Sequence, residues 1–137
     1  MKTEPNTVKI LIVDDEPVEV ALLENVLRRE GYQISSAAAA DRGLQMAMDN
    51  GPDMIILDVM MPLINGFNFC QLIKNQEDSK HIKIIMVTAR DEMEDIEIGM
   101  EMGADAYLTK PINTQELLRT IQVVQSNSRH SDQPHDN

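Results

Sequence analysis

Short apolar runs alternate with helical stretches along almost the whole chain, and this alternation limits the fold more than any other feature. The runs 8–13 and 54–57 are almost wholly apolar, as in strands that are buried on both faces of a parallel sheet. Five such β–α units in strict alternation predict an α/β fold with helices on both faces of a parallel sheet. The predicted strands are 8–13, 32–36, 54–57, 82–87 and 106–108, and the predicted helices begin at Pro17, Asp41, Gly66, Glu92 and Asn113.

Charge and composition limit what the chain can bind. The 137 residues carry a formal net charge of −11, and an acidic fold is a poor match for a nucleic-acid backbone, so no direct nucleic-acid binding is expected. Cys70 is the only cysteine, which rules out an internal disulfide and favours a reducing, cytoplasmic compartment. No apolar run is long enough to span a bilayer, so no membrane insertion is expected.

The two ends of the chain differ from its body. Residues 1–7 are polar, and 126–137 lack apolar periodicity. The sequence therefore predicts one domain over 8–125, a disordered N-terminus, and a disordered tail or linker after it. The chain would then be either a stand-alone protein or one part of a longer one.

Polar side chains follow four of the five predicted strands. Asp14 and Asp15 follow the first strand, Asp58 the third, Thr88 the fourth and Lys110 the fifth. Ligands of open parallel sheets bind at the carboxyl ends of the strands, where these groups would meet. Taken alone, each residue has an ordinary alternative role. Asp14, Asp15 or Thr88 could cap a helix, Asp58 could occupy a loop, and Lys110 could be an exposed side chain.

Three clustered carboxylates need a positive charge nearby. Two carboxylates roughly 4 Å apart repel by about 4 kcal/mol at an effective dielectric near 20. Oxygen ligands with few protein groups suit Mg²⁺, which is commonly completed by a substrate phosphate. A carboxylate beside such an ion, an ammonium and a hydroxyl could act as a nucleophile toward a phosphoryl group.

Four motifs carry a resemblance to a known family. They are ILIVDDEP at 10–17, LDVMMP at 57–62 with Gly66 after it, VTA at 87–89 and YLTKP at 107–111. In this order and spacing they resemble a bacterial two-component response-regulator receiver domain of the chemotaxis-regulator type. The resemblance implies a flavodoxin-like (βα)5 fold with strand order 2-1-3-4-5.

The resemblance also assigns the chemistry. Asp58 is similar to the phosphoacceptor, which takes a phosphoryl group from a phosphohistidine on a sensor histidine kinase or phosphotransfer protein. Asp15 corresponds to a direct Mg²⁺ ligand, Asp14 to an acidic neighbour that holds a metal-bound water, and the backbone carbonyl of Met60 to a third ligand. Met60 and Arg90 occupy positions that tune the lifetime of the acyl phosphate.

Further roles follow from the same motifs. Lys110 and Thr88 correspond to the groups that bind the phosphoryl oxygens, and Ala89 to the small residue that keeps the site open. Thr88 and Tyr107 correspond to the switch pair. The Lys110–Pro111 bond matches a junction that is often cis. Ile112 departs from the family pattern, which commonly has an aromatic residue there.

The resemblance implies a signalling protein and not a true enzyme. Phosphorylation would change the face made by the fourth helix, fifth strand and fifth helix, and so alter binding to a downstream protein or a fused output domain. A dimer formed through this face on phosphorylation is a further expectation.

Two other classes compete with this interpretation. A phosphohydrolase of the haloacid-dehalogenase type needs a second aspartate two residues after the nucleophile, where this chain has Met60. A phosphate-independent pseudo-receiver would act only as an adaptor, although all five polar site residues are present. Nucleotide-binding glycine motifs are absent from the sequence.

Overall fold

A computed structural model describes residues 8–59, 66–89, 97, 100–101 and 103–132. Within this part of the chain, five parallel strands form one sheet in the order β2-β1-β3-β4-β5. The predicted fold class and strand order are therefore confirmed. The strands are β1 Lys9–Val13, β2 Gln33–Ala37, β3 Met54–Asp58, β4 Lys83–Thr88 and β5 Ala106–Thr109; the helices are α1 Pro17–Arg29, α2 Ala40–Asn50, α3 Gly66–Lys74 and the C-terminal helix Thr114–Asp132.

Alternate residues of each strand enter two separate hydrophobic clusters, one on each face of the sheet. From β1, Leu11 and Val13 join the cluster that contains α2 and α3 side chains, while Ile10 and Ile12 join the cluster that contains α1 and C-terminal helix side chains. This follows from the two-residue period of a strand. Because β3 is buried along its whole length, its last residue is held between two packed layers.

Burial also accounts for Cys70, which lies in the cluster on the α3 face. Desolvation raises the pKa of its thiol to about 11. A thiol of this kind stays protonated at neutral pH and packs as a small apolar side chain, as the sequence predicted.

The C-terminal helix begins where the sequence predicts and ends later. The side-chain oxygen of Asn113 accepts a hydrogen bond of 3.0 Å from the backbone N–H of Glu116, as an N-cap does. The expected tail from Ser126 onward is wrong at its start, because the helix continues to Asp132. No glycine or proline interrupts it before Pro134. Neither this helix nor another in the described ranges is long and apolar enough to cross a membrane.

Some expectations fall outside the described residues. Most of the predicted fourth helix, the N-terminal segment 1–7 and the end of the expected tail, 133–137, belong to this group.

Gly43 allows α2 to approach the sheet closely. A Cβ atom at this position would lie 2.9 Å from Cγ2 of Val13 and 3.1 Å from its Cγ1. Real Cβ atoms do not come so close to other carbons, so the contact between α2 and β1 depends on the missing side chain. Val13 directly precedes Asp14, and this packing therefore helps to fix the end of β1.

We expect Gly43→Val to destabilise the fold by about 2–3 kcal/mol, because a larger side chain would force α2 away from β1. The control is Gln45→Val, which places the same β-branched residue at an exposed position of the same helix and should cost less than about 1 kcal/mol. Urea unfolding of both variants measures the difference. Equal losses would mean that helix propensity, and not packing against Val13, decides the result.

Candidate functional site

Strand register brings the sequence-predicted side chains to one edge of the sheet. Val13 pairs with Leu57, so Asp14 and Asp58 each lie one residue further along neighbouring strands. Asp58 and Thr88 end β3 and β4, and their exposed fractions are 3% and 0%. Asp14 is also buried, with 4% exposed. Buried polar residues at three adjacent strand ends indicate a site and not a solvated surface.

Lys110 reaches this edge from the segment that follows β5. Its backbone N–H donates to the carbonyl of Thr88 over 2.8 Å, which fixes the start of the loop against β4. Its Nζ lies 3.1 Å from Oδ2 of Asp58. The peptide bond to Pro111 is cis. The structure thus brings together the lysine and the aspartate that the sequence predicted to meet.

Asp14 is held by the turn between β1 and α1. One of its carboxylate oxygens, Oδ1, accepts a hydrogen bond of 2.9 Å from the backbone N–H of Glu16, the N-cap residue of α1. This hydrogen bond shapes the turn before α1, but Asp14 does not cap the helix, whose N-cap residue Glu16 makes no side-chain cap hydrogen bond. Its carboxylate lies within the same group of oxygens as that of Asp58.

Glu19 is a site residue that the sequence reasoning missed. One carboxylate oxygen from each of Asp14, Glu19 and Asp58 lies within 4.8 Å of the others. Nζ of Lys110 lies 2.8 Å from Oε1 of Glu19, so the lysine contacts two of the three carboxylates.

A local signal for Glu19 was present in the sequence. Pro17 takes the first helical position of α1, which makes Glu19 the third residue of its first turn. Side chains on a helix point back toward its N-terminus, and a glutamate at this position commonly reaches toward the cap. The turn after β1 therefore directs Glu19 to the strand edge.

The pKa values of the site reflect burial and crowding. Burial, and to a lesser degree the carboxylates of Glu19 and Asp58, raise the pKa of Asp14 to about 7, although the hydrogen bond from the backbone N–H of Glu16 opposes the shift. Burial lowers the pKa of Lys110, but its contacts with Glu19 and Asp58 outweigh this and raise the pKa above its usual value. The lysine is thus firmly charged, while one aspartate holds a proton near neutral pH.

The other predicted site residues vary in position. Asp15 is exposed, as is Ala89, and the predicted role of Asp15 as a direct metal ligand remains a prediction. Tyr107 lies on β5 opposite Met86 and packs against the cluster on the α3 face. The remaining predicted positions, Met60 and Arg90, lie outside the described residues.

The donor set fits a hard divalent cation. Three carboxylate oxygens within 4.8 Å of one another match the preference of Mg²⁺ for oxygen ligands. Their mutual repulsion, which adds to the effect of burial on the pKa of Asp14, would fall when a cation binds. Beside them, the Lys110 ammonium, 3.1 Å from Oδ2 of Asp58, supplies a positive charge that could attract an anion.

Comparison with known proteins identifies the family. Residues 10–122 match the family described as response regulator receiver domain. The chain belongs to this family, whose members are the receiver domains of two-component systems.

Individual relatives agree with this assignment. The chain is 36% identical over 116 residues to protein PilH of Pseudomonas aeruginosa, an alignment that covers 85% of this chain and 96% of PilH. Among solved structures, chemotaxis response regulator CheY4 of Vibrio cholerae superposes with a TM-score of 0.81 at 34% identity, covering 87% of this chain and 99% of CheY4. The fold and the motif order are thus those of chemotaxis-regulator-like receivers.

Other relatives are longer than this chain. It is 39% identical over 116 residues to the alkaline phosphatase synthesis transcriptional regulatory protein PhoP of Bacillus subtilis. This alignment covers 85% of this chain and 48% of PhoP. With the response regulator PleD of Caulobacter vibrioides it is 41% identical over 113 residues, covering 82% of this chain and 25% of PleD. The chain therefore spans about half, or less, of the length of these relatives.

We expect Asp14→Asn to stabilise the metal-free protein at pH 8 by about 2–4 kcal/mol. The pKa of Asp14 is about 7 in the folded protein and 3.8 in a model peptide. As the pH rises, the unfolded chain therefore releases this proton at a lower pH than the folded protein does. The wild type accordingly loses free energy of unfolding between about pH 4 and pH 7. Urea unfolding with EDTA should show the gain at pH 8 and almost none at pH 4. An equal gain at both values would contradict the assigned protonation.

Proposed function

We propose that this protein accepts a phosphoryl group on Asp58 from the phosphohistidine of a sensor histidine kinase or a phosphotransfer protein, with Mg²⁺ as cofactor. The observation that carries the proposal is the buried carboxylate of Asp58, 3.1 Å from the Lys110 ammonium and within a cluster of three carboxylates. Membership of the receiver family supports it.

The acidic cluster would hold the cation. Asp14, Glu19 and Asp58 offer the oxygens, and the exposed Asp15 follows directly in the chain. When bound, Mg²⁺ would neutralise part of the charge on the transferring phosphoryl oxygens.

The side chains of the protein divide the remaining work. A carboxylate oxygen of Asp58 forms a bond to phosphorus as the bond from phosphorus to the histidine nitrogen breaks, and the departing imidazole takes up a proton. Lys110, already 3.1 Å from Oδ2 of Asp58, would turn its ammonium toward the phosphoryl oxygens. The buried hydroxyl of Thr88 would donate a hydrogen bond to the same group.

The modified protein would act as a signal and not as a turnover catalyst. We propose that it promotes only its own phosphorylation and dephosphorylation and works in the cytoplasm. Phosphorylation would favour a second conformation in which Thr88 and Tyr107 move together. The change would reach a downstream protein, or an output domain fused to the receiver as the greater length of PhoP and PleD suggests.

We expect the wild-type protein to gain the mass of one phosphoryl group when it is incubated with Mg²⁺ and acetyl phosphate. Asp58→Asn should gain none, because an amide oxygen is a poor nucleophile. Intact-mass spectrometry measures the gain, and EDTA should abolish it. The control, Asp49→Asn, removes an exposed carboxylate from α2 and should be labelled like the wild type.

Failure of the wild type to gain a phosphoryl group would support the phosphate-independent adaptor. If neither the wild type nor Asp58→Asn gains mass, and both bind a partner equally well, the pseudo-receiver becomes the better explanation. Labelling of Asp58→Asn would place the phosphoacceptor elsewhere.

An apolar groove beside the site offers a surface for the phosphodonor. It has a volume of about 510 Å³ and shares Glu19 and Lys110 with the site. Val18 and Leu22 line it from α1 and are 83% and 47% exposed, and Ile112 lines it from the other side. A protein that brings a histidine to Asp58 must cover this edge, so we propose that the donor packs against these side chains.

The donor for this test is the purified histidine kinase that phosphorylates the wild type fastest within a panel of such kinases. With this donor, we expect Val18→Asp to slow phosphotransfer at least about tenfold. Labelling by acetyl phosphate should not change, because a small donor needs no docking surface. Val123→Asp is the matched control, since Val123 is 52% exposed on the C-terminal helix. If both variants slow transfer equally, or neither does, the groove is not the donor surface.

A further inference from the structure

Lys110 is shared between two carboxylates of the site. Its Nζ lies 2.8 Å from Oε1 of Glu19 and 3.1 Å from Oδ2 of Asp58. The side chains of Glu19 and Lys110 are 15% and 21% exposed, so water screens this contact only in part. The lysine thus forms an ion pair with Glu19 and an ion pair with a hydrogen bond to Asp58.

The second partner is fixed independently of the first. Asp58 ends the central strand β3, whereas Glu19 belongs to the first turn of α1, which Pro17 starts. Buried residues of α1, Leu23 and Leu27, anchor the helix in the cluster that it shares with the C-terminal helix. The backbone of Glu19 is thus held by contacts that do not involve Asp58.

Phosphorylation changes the balance between the two partners. A phosphoryl group carries about 1.5–2 negative charges and several strong acceptor oxygens, and these replace the single charge of the Asp58 carboxylate. The Lys110 ammonium, 2.8 Å from Oε1 of Glu19, is attracted by that carboxylate, and this attraction opposes its movement toward the phosphoryl oxygens. The Glu19 carboxylate also lies within 4.8 Å of the Asp58 carboxylate, close enough to repel the added charge.

We propose that Glu19 is a positioning residue that competes with the phosphoryl group for Lys110. This inference rests on the function proposed above. In the unmodified protein Glu19 draws the ammonium partly away from Asp58, and in the phosphorylated protein it must yield the ammonium or leave the phosphoryl oxygens under-neutralised. Glu19 therefore disfavours the phosphorylated state, in addition to any part it has in binding the cation.

The test uses an equilibrium mimic of the phosphoryl group. Beryllium trifluoride exchanges a bound water for a carboxylate oxygen, and its affinity for Asp58 reports the stability of the phosphorylated form without hydrolysis. At saturating Mg²⁺ we expect Glu19→Gln to bind it about fivefold more tightly than the wild type. Saturation is checked by doubling the Mg²⁺ concentration, because loss of Glu19 weakens cation binding.

Two further variants separate positioning from general charge. Glu24→Gln removes the same charge from the same helix, where Glu24 pairs with Arg28 at 3.8 Å, and should leave the affinity within about twofold of wild type. In a Lys110→Met background, Glu19→Gln should have almost no effect on the affinity, because no ammonium remains for Glu19 to compete for.

The outcomes are distinct. Unchanged or weaker binding by Glu19→Gln would overturn the inference, since Glu19 would then support Lys110 and not compete for it. If Glu19→Gln increased the affinity for beryllium trifluoride just as much in the Lys110→Met background, the inference would also be overturned. Direct repulsion between Glu19 and the group on Asp58 would then explain the effect. If the wild type gains no phosphoryl mass and binds no beryllium trifluoride, the proposed function fails, and the inference fails with it. Phosphorylation of the wild type with no effect of Glu19→Gln rejects the inference alone.

Discussion

The ammonium group of Lys110 is the charge on which the site depends. It lies against Asp58 and Glu19, and three carboxylates of the site stand within 4.8 Å of one another. At such separations, repulsion between two carboxylates is about 3–4 kcal/mol at an effective dielectric near 20. Burial is the largest cause of the raised pKa of Asp14, and the neighbouring carboxylates of Glu19 and Asp58 add to it. The site is therefore prepared for a further cation, and the buried strand ends keep water from supplying the screening instead.

The sheet holds these carboxylates close together. β3 is central and buried, with β1 and β4 on either side, so Asp14, Asp58 and Thr88 are positioned by backbone pairing and not by their own packing. The two hydrophobic clusters hold the strands from both faces. Stability comes from the apolar layers, while the polar groups occupy an edge that the layers leave open. This separation explains how a domain can retain charges that destabilise it.

The sequence predicts the fold well because apolar periodicity and turn residues act locally. It also predicts that Asp58 and Lys110 meet, because the carboxyl ends of parallel strands share an edge. It does not predict Glu19, whose part in the site depends on the direction of one side chain in the first turn of α1. Nor does it give the end of the C-terminal helix, since polar residues after Ser126 are compatible with helix when no glycine or proline intervenes.

The site joins residues that are far apart in the chain, and this affects how it arises during synthesis. Lys110 and Asp58 are separated by 52 positions, and β5, which precedes the lysine, pairs only with β4 at the border of the sheet. Chains grow from the N-terminus, so all three carboxylates leave the ribosome long before their counter-ion. A nascent chain that has not yet exposed β5 holds the acidic groups without the ammonium. The contact between the ammonium and the carboxylates is therefore a property of the completed domain, and an unfinished chain would lack it.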